Sequence, residues 1–208
     1  MIAIIDYGMG NLRSVEKAFE KVGFKSVVTD KSETIEKADK IVLPGVGAFK
    51  DAKEGLQERN LVEPIINHIK KGKLFLGICL GLQLLFTRSN EDGIHEGLDI
   101  VSGEVVRFKP DSLSGRDNQR LKTPHMGWNR IRAGKEVPIL KGMPDNPYMY
   151  FVHSYYVIPD RRDVVATETE YGGAFVSMIS IDNVFAMQFH PEKSQHYGMM
   201  ILKNFGEL

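Results

Sequence analysis

Short apolar runs alternate with helically spaced segments over the first half of the chain. Ile2 to Ile5 reads as a strand, and Leu12 to Val22 as a helix closed by Gly23, a common C-cap residue. Ser26 to Thr29 is a second strand and Ser32 to Ala38 a short helix. Lys40 to Leu43 is a third strand, which runs into Pro44-Gly45-Val46-Gly47-Ala48-Phe49. Helical spacing returns at Phe49–Glu58 and Leu61–Lys71. The next apolar stretch, Lys73 to Phe86, changes period half-way. Leu74 to Ile78 suits a buried strand, whereas Leu80, Leu84 and Leu85 fall on a helical stripe with Gln83 off it. This alternation predicts an α/β fold, an open and mostly parallel sheet flanked by helices.

The second half changes character. Arg88 to Gly97 reads as a polar loop, Val101 to Phe108 as an alternating strand, and Lys109 to Thr123 as an exposed loop. Tyr148 to Ile158 is aromatic and β-branched, so a single strand is expected there. Val164–Thr169, Ala174–Ile181 and Val184–Phe189 give three more, with turns at Tyr171-Gly172-Gly173 and Asp182-Asn183. These predict antiparallel additions to the sheet in the C-terminal half. Ser194 is placed to cap a closing helix from Gln195 to Phe205.

Composition narrows the classes. At 208 residues the chain fits one domain, 1–208, and 42% hydrophobic with 26% charged residues is ordinary for a globular protein. Lys+Arg and Asp+Glu are both 27, so the net charge is zero, and neither a nucleic-acid nor a membrane partner is expected. The sole cysteine permits no internal disulfide, which suits a reducing compartment. No basic leader precedes the first strand, and no apolar run approaches the ~20 residues of a spanning helix, so a cytoplasmic protein is expected. Arg107, Lys109, Arg116, Arg120 and Lys122 crowd one stretch, where a solvated loop is favoured over a phosphate or partner site.

The candidate chemistry sits at strand ends. Gly77-Ile78-Cys79-Leu80-Gly81 carries the chain from strand to helix with a glycine on each side of the cysteine, the requirement of a nucleophile elbow. A helix beginning there would favour a thiolate. A small buried core thiol is the competing reading. Gly45-Val46-Gly47 leaves backbone N–H groups accessible to a ligand, although Pro and Gly also punctuate plain loops. Gly8-x-Gly10 lacks the third glycine of a dinucleotide fingerprint, since position 13 is arginine, and a simple strand-to-helix turn is favoured. His190 and Glu192 stand two apart at the end of a strand, so in extended chain both face one site. A cysteine nucleophile needs a proton acceptor and a group that orients it; Cys79, His190 and Glu192 can fill those roles. The remaining histidines, 68, 95, 125, 153 and 196, show no metal-ligand spacing, and neither metal nor cofactor is expected. Trp128, in Pro124-His-Met-Gly-Trp-Asn129, is either part of an exposed contact turn or a core anchor.

Taken together, Pro44-Gly-Val-Gly47, Gly77-Ile-Cys-Leu-Gly-Leu-Gln-Leu-Leu85 and Gln188-Phe-His-Pro-Glu-Lys-Ser194 resemble the class I glutamine amidotransferases. Pro124-His-Met-Gly-Trp-Asn129 and Tyr150-Phe-Val-His-Ser154 narrow the resemblance to the glutaminase subunits of imidazole glycerol phosphate synthase, of histidine biosynthesis. The similarity spans the whole chain in order. It departs in the loop Asp111–Thr123, which is longer than the family's and leaves open a paralogue serving another synthase, such as one that amidates a surface sugar; a non-catalytic interaction subunit is a further alternative, against which the intact Cys79, His190 and Glu192 argue. The resemblance implies that Cys79 attacks glutamine to give a γ-glutamyl thioester, with His190 as base then acid and Glu192 orienting it. It implies an oxyanion hole from Val46, Gly47 and Leu80, and glutamine contacts at Gly45, Gly47, Gln83, His153, Ser154 and Tyr155. A (β/α)₈-barrel cyclase partner would receive the ammonia, with Asn11, Met126, Gly127 and Trp128 on the partner face.

Overall fold

The computed structural model describes residues 1–109 and 121–208. In chain order the first half runs β1 (Ile2–Ile5), α1 (Leu12–Lys21), β2 (Ser26–Thr29), α2 (Ser32–Lys37), β3 (Lys40–Gly45), α3 (Phe49–Glu58), α4 (Val62–Lys70), β4 (Leu74–Cys79) and α5 (Leu80–Gln83). There follow β5 (Phe86–Ser89), β6 (His95–Glu96), β7 (Val101–Arg107), β8 (His125–Arg130), β9 (Arg132–Ala133), β10 (Tyr148–His153), β11 (Tyr155–Pro159), β12 (Val165–Glu170), β13 (Ala174–Ile181), β14 (Val184–Met187) and α6 (Gln195–Glu207).

The main sheet has the order β2-β1-β3-β4-β14-β13-β11-β7-β5-β6, with β12 and β9 branching from β13. From β2 to β14 every neighbouring pair is parallel, and β13 and β11 continue antiparallel. The inner parallel strands are covered on both faces, which is why they read as unbroken apolar runs. Odd and even positions serve different layers. Ala3, Ile5, Ile41, Leu43 and Phe75 pack towards Ile35, Phe49, Leu56 and Ile65 of α2, α3 and α4. Ile2, Ile4, Val42, Leu76 and Ile78 pack towards Phe19 of α1 and Ile201, Leu202 and Phe205 of α6.

Four expectations need correction. The helix after Cys79 is a single turn, because Leu84 and Leu85 are buried under the sheet and Phe86 already begins β5. The polar stretch 88–97 contributes the end of β5 and all of β6, at the sheet's last edge, where outward polar residues are tolerated. His125 to Arg130 is a strand rather than a turn, paired antiparallel with β10 in a separate two-stranded ribbon. The expected strand 148–158 breaks at Ser154, so that β10 joins that ribbon and β11 the main sheet. Burial parity is unbroken across that break, with Met149, Phe151, His153 and Val157 all inside, so the alternation carried no sign of it. Of the basic cluster and the long loop, residues 110–120, Arg116 and Arg120 among them, lie outside the described residues.

Candidate active site

Cys79 is the last residue of β4 and sits opposite Gly45 of β3 in the parallel register. Its backbone adopts φ 56°, ψ −107°, which no ordinary strand or helix residue visits. The elbow needs both flanking glycines for space. A Cβ on Gly77 would lie 2.8 Å from the Gly81 carbonyl oxygen, and one on Gly81 would run into the Leu43 carbonyl oxygen. With only one turn following, the helix contributes little macrodipole.

His190 follows β14, the strand parallel to β4, so the two strand ends bring it beside Cys79. The expected extended geometry is replaced: Pro191–Lys193 forms a 3₁₀ turn, and that turn delivers Glu192 Oε1 to His190 Nδ1 at 2.8 Å. Both side chains are buried, at 3% and 1% exposure, so the bond is shielded from water. The other ring nitrogen, Nε2, has no hydrogen-bond partner. Burial lowers the imidazole's pKa, but the adjacent Cys79 sulfur as thiolate, with Glu192 behind, outweighs it and lifts it to about 10. The two strand ends thus set a buried imidazole, backed by a carboxylate, beside the Cys79 sulfur.

Ser194, expected to cap α6, does something else. Its hydroxyl donates to the His190 carbonyl at 2.6 Å and accepts from the Tyr150 amide at 3.0 Å, tying the turn of His190 and Glu192 to β10. The His190 amide in turn donates to the Tyr150 carbonyl at 2.9 Å.

A cavity of about 380 Å³ opens over Cys79, near the small end of the usual ligand-pocket range of roughly 300–1,000 Å³. Val46, Gly47, Leu80, Gln83, His153, Ser154 and Tyr155 line it with Cys79. Gly45, His190 and Glu192 are not among the residues that line it. Gln83, expected off the buried stripe, is buried instead; its Nε2 donates to the Tyr155 carbonyl (3.2 Å) and to Gln188 Oε1 (3.1 Å). His153 and His125 form a neutral pair: burial pushes His125 down to about 4, and burial with neighbouring His125 pushes His153 to about 3. Their order is fixed, since His153 Nδ1 donates to the Tyr155 carbonyl (2.8 Å) and its Nε2 then accepts from His125 Nδ1 (2.9 Å). No group of three or more possible metal-ligating side chains occurs among the described residues.

Several residues of the site escaped the sequence reading. Glu91 lines the cavity and accepts from the Phe49 amide at 2.7 Å, holding the start of α3 just after the Gly47 loop. Tyr7 has a buried hydroxyl with no partner, pressed against Gly45; burial and the nearby Cys79 charge push its pKa up. Gln188 directs its amide at the Cys79 sulfur, 3.6 Å away. Only the position of Gln188 two before His190 could have signalled any of these. A larger cavity of about 900 Å³, bounded by Arg132, Lys135, Pro138 and Pro147, contains none of Cys79, His190 and Glu192.

Of the partner-face residues, Met126 and Trp128 are exposed on β8, at 62% and 46%, which decides for a surface tryptophan. Gly127 between them holds φ +121°. Asn11 lies on another element, at the start of α1. Two surface grooves that share Gln195 and His196 run from Trp128 and Tyr148 to Ser14 and Lys17 of α1, whereas Asn11 lines a different groove with Gly10, Arg13 and Glu16.

The family model for "Glutamine amidotransferase class-I" matches residues 3–207. The chain belongs to the class-I glutamine amidotransferases. Within the family its curated relatives carry the name imidazole glycerol phosphate synthase subunit HisH. One from Syntrophotalea carbinolica is 55% identical, with all of both chains covered, and one from Aquifex aeolicus 54% identical, covering 97% of this chain and 94% of its own. Among solved structures, PurLQS from Thermotoga maritima superposes with a TM-score of 0.75 at 15% identity, covering 98% of this chain and 96% of that one. A crystal structure of a glutamine amidotransferase gives 0.73 at 15% identity, with all of both chains covered. The structural likenesses show that this class-I amidotransferase shares their fold.

Proposed function

We propose that Cys79, His190 and Glu192 hydrolyse glutamine and that the ammonia goes to a cyclase partner. As a chain of the HisH group, the protein is the glutamine amidotransferase subunit of imidazole glycerol phosphate synthase, in histidine biosynthesis. The observation that carries the mechanism is the buried Glu192–His190 pair set beside the elbow thiol. Because His190 holds its proton in the resting pair, the thiolate attacks the glutamine side-chain carbonyl carbon directly. The carbon–nitrogen bond then breaks as imidazolium protonates the leaving nitrogen, giving ammonia and a γ-glutamyl thioester. Neutral His190 next takes a proton from water, which attacks the thioester and releases glutamate and thiolate. Glu192 keeps the ring in one orientation and stabilises its charge.

Val46, Gly47 and Leu80 supply backbone donors around the developing oxyanion, each such donor being worth a factor of about 10²–10³ in turnover. Gln83 commits its NH₂ group to Tyr155 and Gln188, which leaves its carbonyl for the substrate's ammonium group; Gly47, His153, Ser154 and Tyr155 complete the wall, and Gly45 sits opposite Cys79 in the strand register. The partner, a (β/α)₈ barrel, docks on the surface of Met126, Gly127, Trp128 and Asn11, and the pair works in the cytoplasm. No helix among the described residues is long and apolar enough to cross a membrane.

Glutamate release from glutamine, measured with and without the cyclase and its nucleotide, tests the reading. Wild type is expected to be slow alone and fast in the complex, and Cys79→Ala silent in both. Turnover by Cys79→Ala would refute it.

A further inference from the structure

One buried amide near Cys79 has an orientation that its neighbours dictate. The Tyr155 backbone carbonyl can only accept, so the Gln83 atom 3.2 Å from it is the NH₂ nitrogen. That nitrogen lies 3.1 Å from the Gln188 side chain, so Gln188 turns its oxygen to Gln83 and its own NH₂ to the Cys79 sulfur, at 3.6 Å. His153 Nδ1 holds the same Tyr155 carbonyl at 2.8 Å. Flipping Gln83 would set its oxygen against the Tyr155 carbonyl and the Gln188 oxygen, and flipping Gln188 would set two NH₂ groups face to face. Gln188 is fully buried, and no step of the hydrolysis above uses it.

The two states of the sulfur respond differently to this neighbour. A thiol is a weak donor, and the Val152 carbonyl lies 3.9 Å away to accept from it. A thiolate can only accept; it faces that carbonyl unfavourably and gains a charge-assisted bond from an N–H. We propose that Gln188 is a positioning residue that holds Cys79 in the thiolate form, with the direction of its amide fixed by Gln83. The inference rests on Cys79 being the nucleophile. The titratable groups facing Cys79 are His190 after β14 and Tyr7 after β1, with His153 of β10 and Glu91 after β5 across the cavity. His190 answers the thiolate with charge. Gln188 answers it with a neutral donor that no pH removes.

Cys79 is the only cysteine, so alkylation by iodoacetamide, followed by mass spectrometry across pH, reads its thiolate population. Gln188→Met, close in volume and without an N–H, is expected to move the midpoint of alkylation up by about one pH unit. Glutaminase kcat in the complex should fall by about tenfold at pH values below the wild-type midpoint and converge on wild type above both midpoints, with KM little changed. Gln188→Glu keeps an oxygen for Gln83 and sets another against the sulfur, so its midpoint should lie higher still, and it stands in should Gln188→Met fail to fold. A wild-type midpoint in either variant, when its thermal melt is that of the wild type, overturns the proposal and leaves Gln188 a packing residue. The alkylation midpoint is independent of substrate. A shifted midpoint in a protein inactive on glutamine would therefore count against the glutaminase reading and not against this one.

Discussion

Cys79 holds its backbone outside the usual regions, at a cost on the order of 1–3 kcal/mol that the surrounding sheet must offset. What pins it is the absence of side chains on either side. Gly81→Ala would drive a methyl group into the Leu43 carbonyl, and neither backbone can yield without breaking the β3–β4 ladder. A loss of roughly 3 kcal/mol, the upper part of the overpacking range, is expected in urea unfolding, together with loss of activity. The His190–Cys79 pair gives a pH signature. The folded state keeps the His190 proton up to about 10, whereas the unfolded chain releases it near 6.5. The contribution of the raised His190 pKa is therefore complete below about 6.5 and is lost as pH rises through about 10, given the Cys79 charge that raises it. Denaturant midpoints taken across that window should fall more steeply for wild type than for Cys79→Ala, which lacks the charge that raises the imidazole. Cys79 was legible in the sequence from the glycines two residues to either side of it, and His190 and Glu192 from the proline between them at the end of an apolar strand. Tyr7, Glu91 and Gln188 were not, since a buried polar side chain acquires its meaning only from partners remote in sequence.

At the scale of elements, the ribbon of β8 and β10 links surface and site. Its outer strand shows Met126 and Trp128 to solvent, while its inner strand supplies the Val152 carbonyl, the His153 wall and the Tyr150 backbone bonds to the turn of His190 and Glu192. Trp128 lies directly opposite Tyr150, ring centroids 5.9 Å apart. Ser194→Ala removes the hydroxyl that joins this ribbon to His190 and leaves the Tyr150 amide unpaired, a loss of about 1–3 kcal/mol. Calorimetry should show the lower melting temperature, and the complex should show a fall in kcat. Trp128→Ala removes an exposed ring, so the melt should stay within about 0.5 kcal/mol of wild type. Its affinity for the cyclase, read by titration calorimetry, should weaken by ~2 kcal/mol, the threshold of a hot spot. The ribbon was the least legible part of the fold. Ser154 lies between strands of unbroken burial parity, and β8 carries polar and glycine residues that resemble a turn until β10 is there to pair with it.

The molecule as a whole is a parallel half completed by an antiparallel half. The first was readable because its inner strands are buried on both sides and each helix returns the chain over a short span. The second was readable only as a set of strands, because its neighbours are chosen over long separations that local spacing does not encode. The site lies across the seam: β4 supplies the sulfur, β14 leads to the imidazole, and these strands pair across more than a hundred intervening residues. That pairing sets an order in time. On the ribosome Cys79 emerges long before His190, so the growing chain carries an unassisted thiol and no base. Non-local pairings are slow to form, and β14 enters between β4 and β13 only when the last third of the chain is present. Glutaminase capacity therefore appears once, at the end, when the sheet closes. A half-made chain cannot release ammonia with no partner there to receive it.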